Sequence, residues 1–161
     1  MQTRRIFLTT TLAATGLAAL PLRAAEFEIT LTDAEWKKRL TPAQFAVLRQ
    51  DVTEKAFSNT LMGEKSPLLK EARSGTYHCA GCDLPVYPSK TKFDSGTGWP
   101  SFYASLPDAV GTKEDSTLFT TRLEVHCRRC GGHLGHIFND GPKPTGKRHC
   151  LNGLAMTFTA A

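Results

Sequence analysis

Two C-x-x-C pairs, Cys79/Cys82 and Cys127/Cys130, leave one further cysteine, Cys150, alone. Four thiolates on two such knuckles complete a tetrahedral Zn²⁺ site and close it to other ligands. The 44 residues between Cys82 and Cys127 exceed the usual ribbon spacing, so the fold itself must bring two distant turns together. Each pair could instead close as a disulfide in an oxidising compartment, or one pair could be a redox motif. Gly81 in the first knuckle and Gly131-Gly132 after the second favour the metal, because they permit the tight turns that aim two sulfurs at one ion. Cys150 is then the thiol left for chemistry.

At 161 residues the chain fits one domain with a real core, and 40% apolar with 22% charged residues is ordinary for a soluble globular protein. The formal charge of +5 invites a nucleic-acid reading, but Arg4, Arg5 and Arg23 lie in the first 24 residues, which hold no acid. Residues 25–161 therefore carry 17 of the 20 basic residues against all 15 acids, a balance of +2 that four zinc-bound thiolates would cancel. That balance argues against a polyanion partner. The first segment reads as an export signal: Arg4-Arg5 is a twin-arginine pattern, and Ile6 to Leu20 is mildly apolar. Pro21 to Ala25 supplies small residues for cleavage, giving residues 1–24 as signal and 25–161 as the mature domain. The apolar stretch is shorter and more polar than the ~20 residues a membrane span needs, so no stable membrane association is expected after cleavage. The twin-arginine route carries folded proteins, which suits a domain that loads metal first; the expected location is a bacterial periplasm.

Thr32-Asp33-Ala34-Glu35 and Thr41-Pro42-Ala43-Gln44 are two capping boxes, each predicting a short helix. Phe45, Leu48 and Val52 fall on one face of the second. Residues 54–74 lack strong periodicity and are expected to be loop with at most one helical turn. From Gly75 onward the pattern is β. Phe119, Thr121, Leu123 and Val125 alternate with polar residues and deliver Cys127, and Leu154, Met156 and Phe158 alternate just after Cys150. The expectation is a mainly β, α+β domain with helices at its N-terminal side.

Cys150 follows Lys147-Arg148-His149, and positive charge nearby favours the reactive thiolate. Taken alone, an unpaired cysteine is as readily a small buried hydrophobe. His133 and His136, three apart between glycines, could be metal ligands, acid–base groups or ordinary surface residues. The glycines let a backbone approach closely, which favours a built site. Trp99, between Gly98 and Pro100, belongs on a loop where its face could hold an apolar or cationic group, although core packing is the default for such a ring.

Together these stretches resemble the B-type methionine sulfoxide reductases. The matching segments are Cys79-Ala80-Gly81-Cys82, Lys92 to Gly96, Gly98-Trp99-Pro100-Ser101-Phe102, Cys127 to His136, and Arg148 to Asn152. Glu35-Trp36 and Leu40-Thr41-Pro42 also look like the family, and the resemblance runs from about Trp36 to Phe158. It implies two antiparallel sheets with a zinc clip, and reduction of methionine-R-sulfoxide in proteins. By position it implies Cys150 as nucleophile, Trp99 against the substrate methyl, and His133, His136 and Asn152 around the sulfoxide oxygen. The zinc ligands implied are Cys79, Cys82, Cys127 and Cys130. A sulfoxide oxygen leaves poorly until protonated, so thiolate attack needs a proton donor beside it. Attack would leave a sulfenic acid, regenerated by a thiol reductant such as a thioredoxin-like or glutaredoxin-like protein or a small thiol.

Departures from the family pattern are Thr97, where many members carry a resolving cysteine, Gly153, where a serine is common, and His149, where an aromatic often stands. Rival readings are a nucleic-acid-binding zinc ribbon, a non-catalytic zinc scaffold, and a thiol–disulfide oxidoreductase cycling one C-x-x-C pair.

Overall fold

The computed structural model describes residues 27–117 and 120–161. The expected export signal, residues 1–24, lies outside the described residues, as does Phe119 of the expected strand. Both capping boxes form. Thr32 N donates to Glu35 Oε2 at 2.8 Å, Glu35 N donates back to Thr32 Oγ1 at 3.3 Å, and helix α1 runs Asp33–Arg39. Thr41 and Gln44 reciprocate in the same way to start α2, Pro42–Gln50. Helix α2 ends at Asp51, whose φ of 57° is left-handed, so Val52 lies beyond the helix instead of on its face. Phe45 and Leu48 are buried as expected, joined by Ala43, Ala46 and Val47, so α2 is covered almost all round.

The segment read as loop with at most a helical turn holds a hairpin instead: β1, Thr60–Leu61, pairs antiparallel with β2, Glu64–Lys65. Met62 and Gly63 at φ 49° and 82° make its two-residue turn, with both central residues left-handed. Met-Gly carries a weaker turn signal than Asn-Gly, and two-residue strands show no periodicity.

Two larger sheets carry the rest. Strands β3 (Gly75–Cys79), β4 (Pro85–Pro88) and β11 (Met156–Ala160) form one, in the order β11-β3-β4. The other contains β5 (Lys92–Phe93), β6 (Ser101–Phe102), β7 (Val110–Thr117), β8 (Thr120–Cys127), β9 (His133–Phe138) and β10 (Arg148–Leu151), ordered β5-β6-β10-β9-β8-β7. All pairings are antiparallel. The fold is thus the expected mainly β domain with two short N-terminal helices. The sheets meet through aromatic rings: Tyr77 and Tyr87 of the smaller sheet pack on Phe102 of the larger one, with centroids 4.9 and 4.7 Å apart. All three are fully buried, and rings of this size supply much of the burial energy of a core. Central strand β10 brings Cys150 opposite His136 of β9 and Ser101 of β6.

Candidate active site and metal centre

The two knuckles meet. The first follows β3 and the second links β8 to β9, and the Sγ atoms of Cys79, Cys82, Cys127 and Cys130 lie within 4.8 Å of one another. Cys79 Sγ is 3.7 Å from Cys130 Sγ, and Cys82 Sγ is 3.4 Å from Cys127 Sγ. Sulfurs bound at ~2.3 Å around one tetrahedral ion lie ~3.8 Å apart, whereas a disulfide needs ~2.05 Å. The closest pairs also cross between knuckles instead of within them. The donor set, spacing and burial therefore fit one metal ion and not a pair of C-x-x-C disulfides. Gly131, at φ 67°, makes the turn at the second knuckle as expected, but at the first the left-handed residue is Asp83 (φ 58°) and not Gly81.

Cys150 is separate from this cluster and half-buried. It faces a pocket of about 120 Å³. Trp99, Phe138 and Leu151 form the apolar wall, while His136, Asn152, Arg122 and Thr53 bring polar groups. The chain approaches itself closely here: a Cβ on Gly135 would stand 2.1 Å from the Cys150 carbonyl oxygen, so only glycine lets β9 lie against β10. Of the residues singled out in the sequence, Cys150, Trp99, His136 and Asn152 line one pocket. His133 lies behind it, 2% exposed, with its ring 5.2 Å from that of His136.

The three basic residues before Cys150 do not act together as the sequence suggested. Side chains alternate along a strand, so His149 turns into the core. Its Nδ1 lies 2.9 Å from the Tyr87 hydroxyl, and burial pushes its pKa down to about 4, leaving it neutral. Lys147 bonds Asn139 at the surface. Of these three, only Arg148 influences the thiol. Its guanidinium makes two 2.9 Å bonds to Asp140 and lies 4.4 Å over the Phe138 ring. Burial pushes the Cys150 thiol up, and the nearby Arg148 charge pulls it down without prevailing. Burial thus outweighs charge at Cys150, whereas the sequence pointed to nearby positive charge favouring the thiolate.

Sequence reasoning missed the groups that fix this pocket. Glu54, 1% exposed, is the first. Its carbonyl oxygen accepts from Trp99 Nε1 at 3.1 Å, and its backbone N donates to Asn152 Oδ1 at 3.1 Å. Its carboxylate accepts from Gly153 N at 2.7 Å, Leu154 N at 2.9 Å and Asn59 Nδ2 at 2.7 Å. Burial raises the Glu54 pKa against these bonds. One residue thus holds the indole, the amide and the backbone that follows Cys150.

The hairpin β7–β8 supplies two more. Lys113 stands opposite Glu124 and Asp115 opposite Arg122, with ion-pair distances of 2.8 and 2.7 Å. Each pair presents a carboxylate to one histidine of β9. His133 Nδ1 donates to Glu124 Oε1 at 3.0 Å, and His136 Nε2 lies 2.9 Å from Asp115 Oδ2. Burial opposes ionisation of Glu124, but the bonds from His133 and Lys113 hold its carboxyl down at about 2. An ionised carboxylate only accepts, so His133 holds a proton on Nδ1 toward it. Its Nε2 is buried with no hydrogen-bond partner among the described residues. Burial pushes the His136 pKa down, with the Asp115 bond working against that. The signal for these groups was the polar phase of strand β8, where Arg122 and Glu124 alternate with apolar residues.

This geometry agrees with what the chain is similar to. A SelR-domain family model matches residues 40–160. A peptide methionine sulfoxide reductase MsrB of Methanosarcina barkeri is 49% identical over 135 residues, 83% of this chain and 90% of that protein. One of Leptospira interrogans is 47% identical over 133 residues, covering 82% and 96% of the two chains. The chloroplastic peptide methionine sulfoxide reductase B1 of Arabidopsis thaliana is 50% identical over 132 residues, which span 81% of this chain but only 62% of that longer protein. On a domain match across most of its length and relatives aligned nearly end to end, the chain belongs to the SelR family, that of the MsrB-type methionine sulfoxide reductases.

Proposed function

We propose that the protein is a peptide-methionine (R)-S-oxide reductase in which Cys150 attacks the sulfoxide sulfur. The observation that carries this reading is the position of Cys150. It is the cysteine outside the four-sulfur cluster, and it faces a pocket that sets an indole beside a histidine. The methyl group packs on Trp99 by contact burial, and His136, whose Nε2 faces Asp115, takes the thiol proton on its other ring nitrogen and hands it to the oxygen as it leaves, with the Asn152 amide nearby. His133 supports His136 from behind. The Cys150 sulfur gives up its proton and takes the oxygen, so the substrate leaves as methionine and the enzyme holds a sulfenic acid. A thiol reductant then condenses with that sulfenic acid, releasing water and forming a mixed disulfide. A second thiol breaks this disulfide and restores Cys150.

Zinc held by Cys79, Cys82, Cys127 and Cys130 supplies a structural clip that ties β3 to the β8–β9 connection. Export by the twin-arginine route to the periplasm is also proposed, supported by Arg4-Arg5 and the apolar stretch behind them. Fractionation of cells expressing an Arg4→Lys/Arg5→Lys chain should find it retained in the cytoplasm. The test of function is a stereospecific assay. The R epimer of N-acetyl-methionine sulfoxide should be consumed with dithiothreitol present while the S epimer is left, and Cys150→Ser should turn over neither. Reduction of the S epimer at an equal rate, or an active Cys150→Ser protein, would overturn the reading.

A further inference from the structure

Loop 96–100 has two sides. Thr97 and Trp99 meet the Cys150 side. On the other side a groove of about 500 Å³ runs along the same loop, lined by Phe57, Leu69, Phe93, Gly98, Trp99 and Pro100. Trp99 lines both, so the groove adjoins the sulfoxide pocket across this ring.

Phe57 is the unusual residue. The residue is 69% exposed, and its backbone sits at φ 64°, a region that bulky residues avoid. Phe57 N donates to Gly98 O at 2.8 Å, and Asn59 Nδ2 donates to the same oxygen at 3.2 Å. A Cβ on Gly98 would stand 2.8 Å from Phe57 Cγ, so the ring is laid over the glycine beside Trp99. The chain thus holds a strained backbone that presents a large apolar group to water. Observed strain of this kind is a reason to look for a role.

We propose that this groove binds the polypeptide segment adjoining the oxidised methionine, with Phe57 packing on an apolar side chain of that segment. The proposal rests on reading the Cys150 pocket as the sulfoxide site. A side chain in that small pocket leaves its own backbone outside. Each residue of an extended chain advances ~3.3–3.6 Å, so a neighbour one or two positions away reaches across Trp99 to Phe57, Leu69 and Phe93. Of the charged residues lining the groove, Lys70 and Asp94 are exposed, and half-buried Lys92 is already engaged, its Nζ donating to Leu69 O at 2.8 Å and Glu71 O at 2.9 Å. The apolar contact it offers is the run of Phe57, Leu69, Phe93 and Trp99, which favours an apolar neighbour.

The test measures kcat/KM for N-acetyl-methionine-R-sulfoxide and for two pentapeptides with a central methionine-R-sulfoxide, flanked by leucines or by serines. The wild type should prefer the leucine peptide by about tenfold, a factor equal to about 1.4 kcal/mol. Phe57→Asn, chosen because asparagine tolerates positive φ, should bring the two peptides within about twofold while leaving the N-acetyl substrate unchanged. Leu69→Ala should narrow the preference in the same direction. Zinc content and melting temperature are measured for both, so the second variant decides should the first fail to fold. Equal use of the two peptides by the wild type would overturn the proposal. So would a preference that survives in the folded variants, or a dimer in solution that buries Phe57. Failure of the wild type on the N-acetyl substrate would instead overturn the functional reading beneath it.

Discussion

The Thr97 hydroxyl lies 3.9 Å from the Cys150 sulfur. That contact places a residue incapable of thiol chemistry where a second sulfur would resolve the sulfenic acid. Cys79, Cys82, Cys127 and Cys130 are gathered in their own cluster, so Cys150 has no neighbouring cysteine with which to close a disulfide. The wild type, given one equivalent of sulfoxide without reductant, should hold a sulfenic acid that a dimedone-type reagent traps. In Thr97→Cys the side chains already face each other, and the same experiment should yield an internal disulfide and no trapping. Mass spectrometry distinguishes the two products. A wild-type disulfide from Cys150 to a knuckle cysteine, with metal released, would make the cluster part of the redox cycle.

The four-cysteine cluster should behave as a fold-stabilising metal site. Binding energy at a four-thiolate site is folding energy, because the site does not exist in the unfolded chain. Purified protein should carry about one zinc per chain by atomic emission. Cys82→Ser should lose that zinc and either fail to fold or melt at a much lower temperature, since loss of a structural metal is among the few single changes with such large effects. Retained stability without metal would remove the structural role.

What was legible in the sequence was local or set by residue type. The caps at Thr32 and Thr41 act over three residues, and both formed. The knuckles and Cys150 announce their chemistry by identity alone, as does Trp99 on its glycine-flanked loop. The supports were not legible because their partners are far away in the chain. Glu54 bonds Gly153 across 99 residues, and Asp115 reaches His136 across 21, so nothing local reveals either. His149 is a different case. Period-two alternation next to Cys150 already implied that it faces the opposite side of the sheet, so weighing its charge by sequence proximity overstated the positive charge at the thiol.

The β7–β8 hairpin should tune the histidines without holding the fold together. Glu124→Gln removes the charge facing His133 Nδ1, and Asp115→Asn does the same at His136. Each should lower kcat by about 10- to 100-fold, the scale of losing a partner that orients a functional histidine, with zinc content unchanged. Nitrogen chemical shifts of the His133 ring should report a weakened preference for the Nδ1–H form in Glu124→Gln, whose amide can accept or donate there, and a merely structural role would not predict that change. The acid limb of stability gives a second readout. Glu124 has a folded pKa of about 2, below its unfolded value of 4.5, so it contributes stability above that value. This contribution is lost as pH falls from about 4.5 toward 2, and Glu124→Gln should flatten that part of the profile.

The resting thiol should be slow to react at neutral pH. Burial raises the Cys150 pKa above the ordinary cysteine range of ~8.5, and a thiol in that state is mostly protonated at pH 7. The rate of iodoacetamide alkylation at Cys150 should therefore climb with pH and inflect above the value for a free cysteine. Arg148 is the positive charge that opposes the burial effect, and Asp140 holds it in place through two hydrogen bonds. Arg148→Met removes the charge while keeping an apolar stem over Phe138, so the inflection should move further up. Asp140→Asn loosens the guanidinium and also removes a negative charge, two effects of opposite sign, so its shift should be smaller than that of Arg148→Met. Alkylation followed by mass spectrometry from pH 6 to 11 reads all three proteins. An inflection near or below pH 7 in the wild type would mean that the basic residues before Cys150 prevail over burial after all.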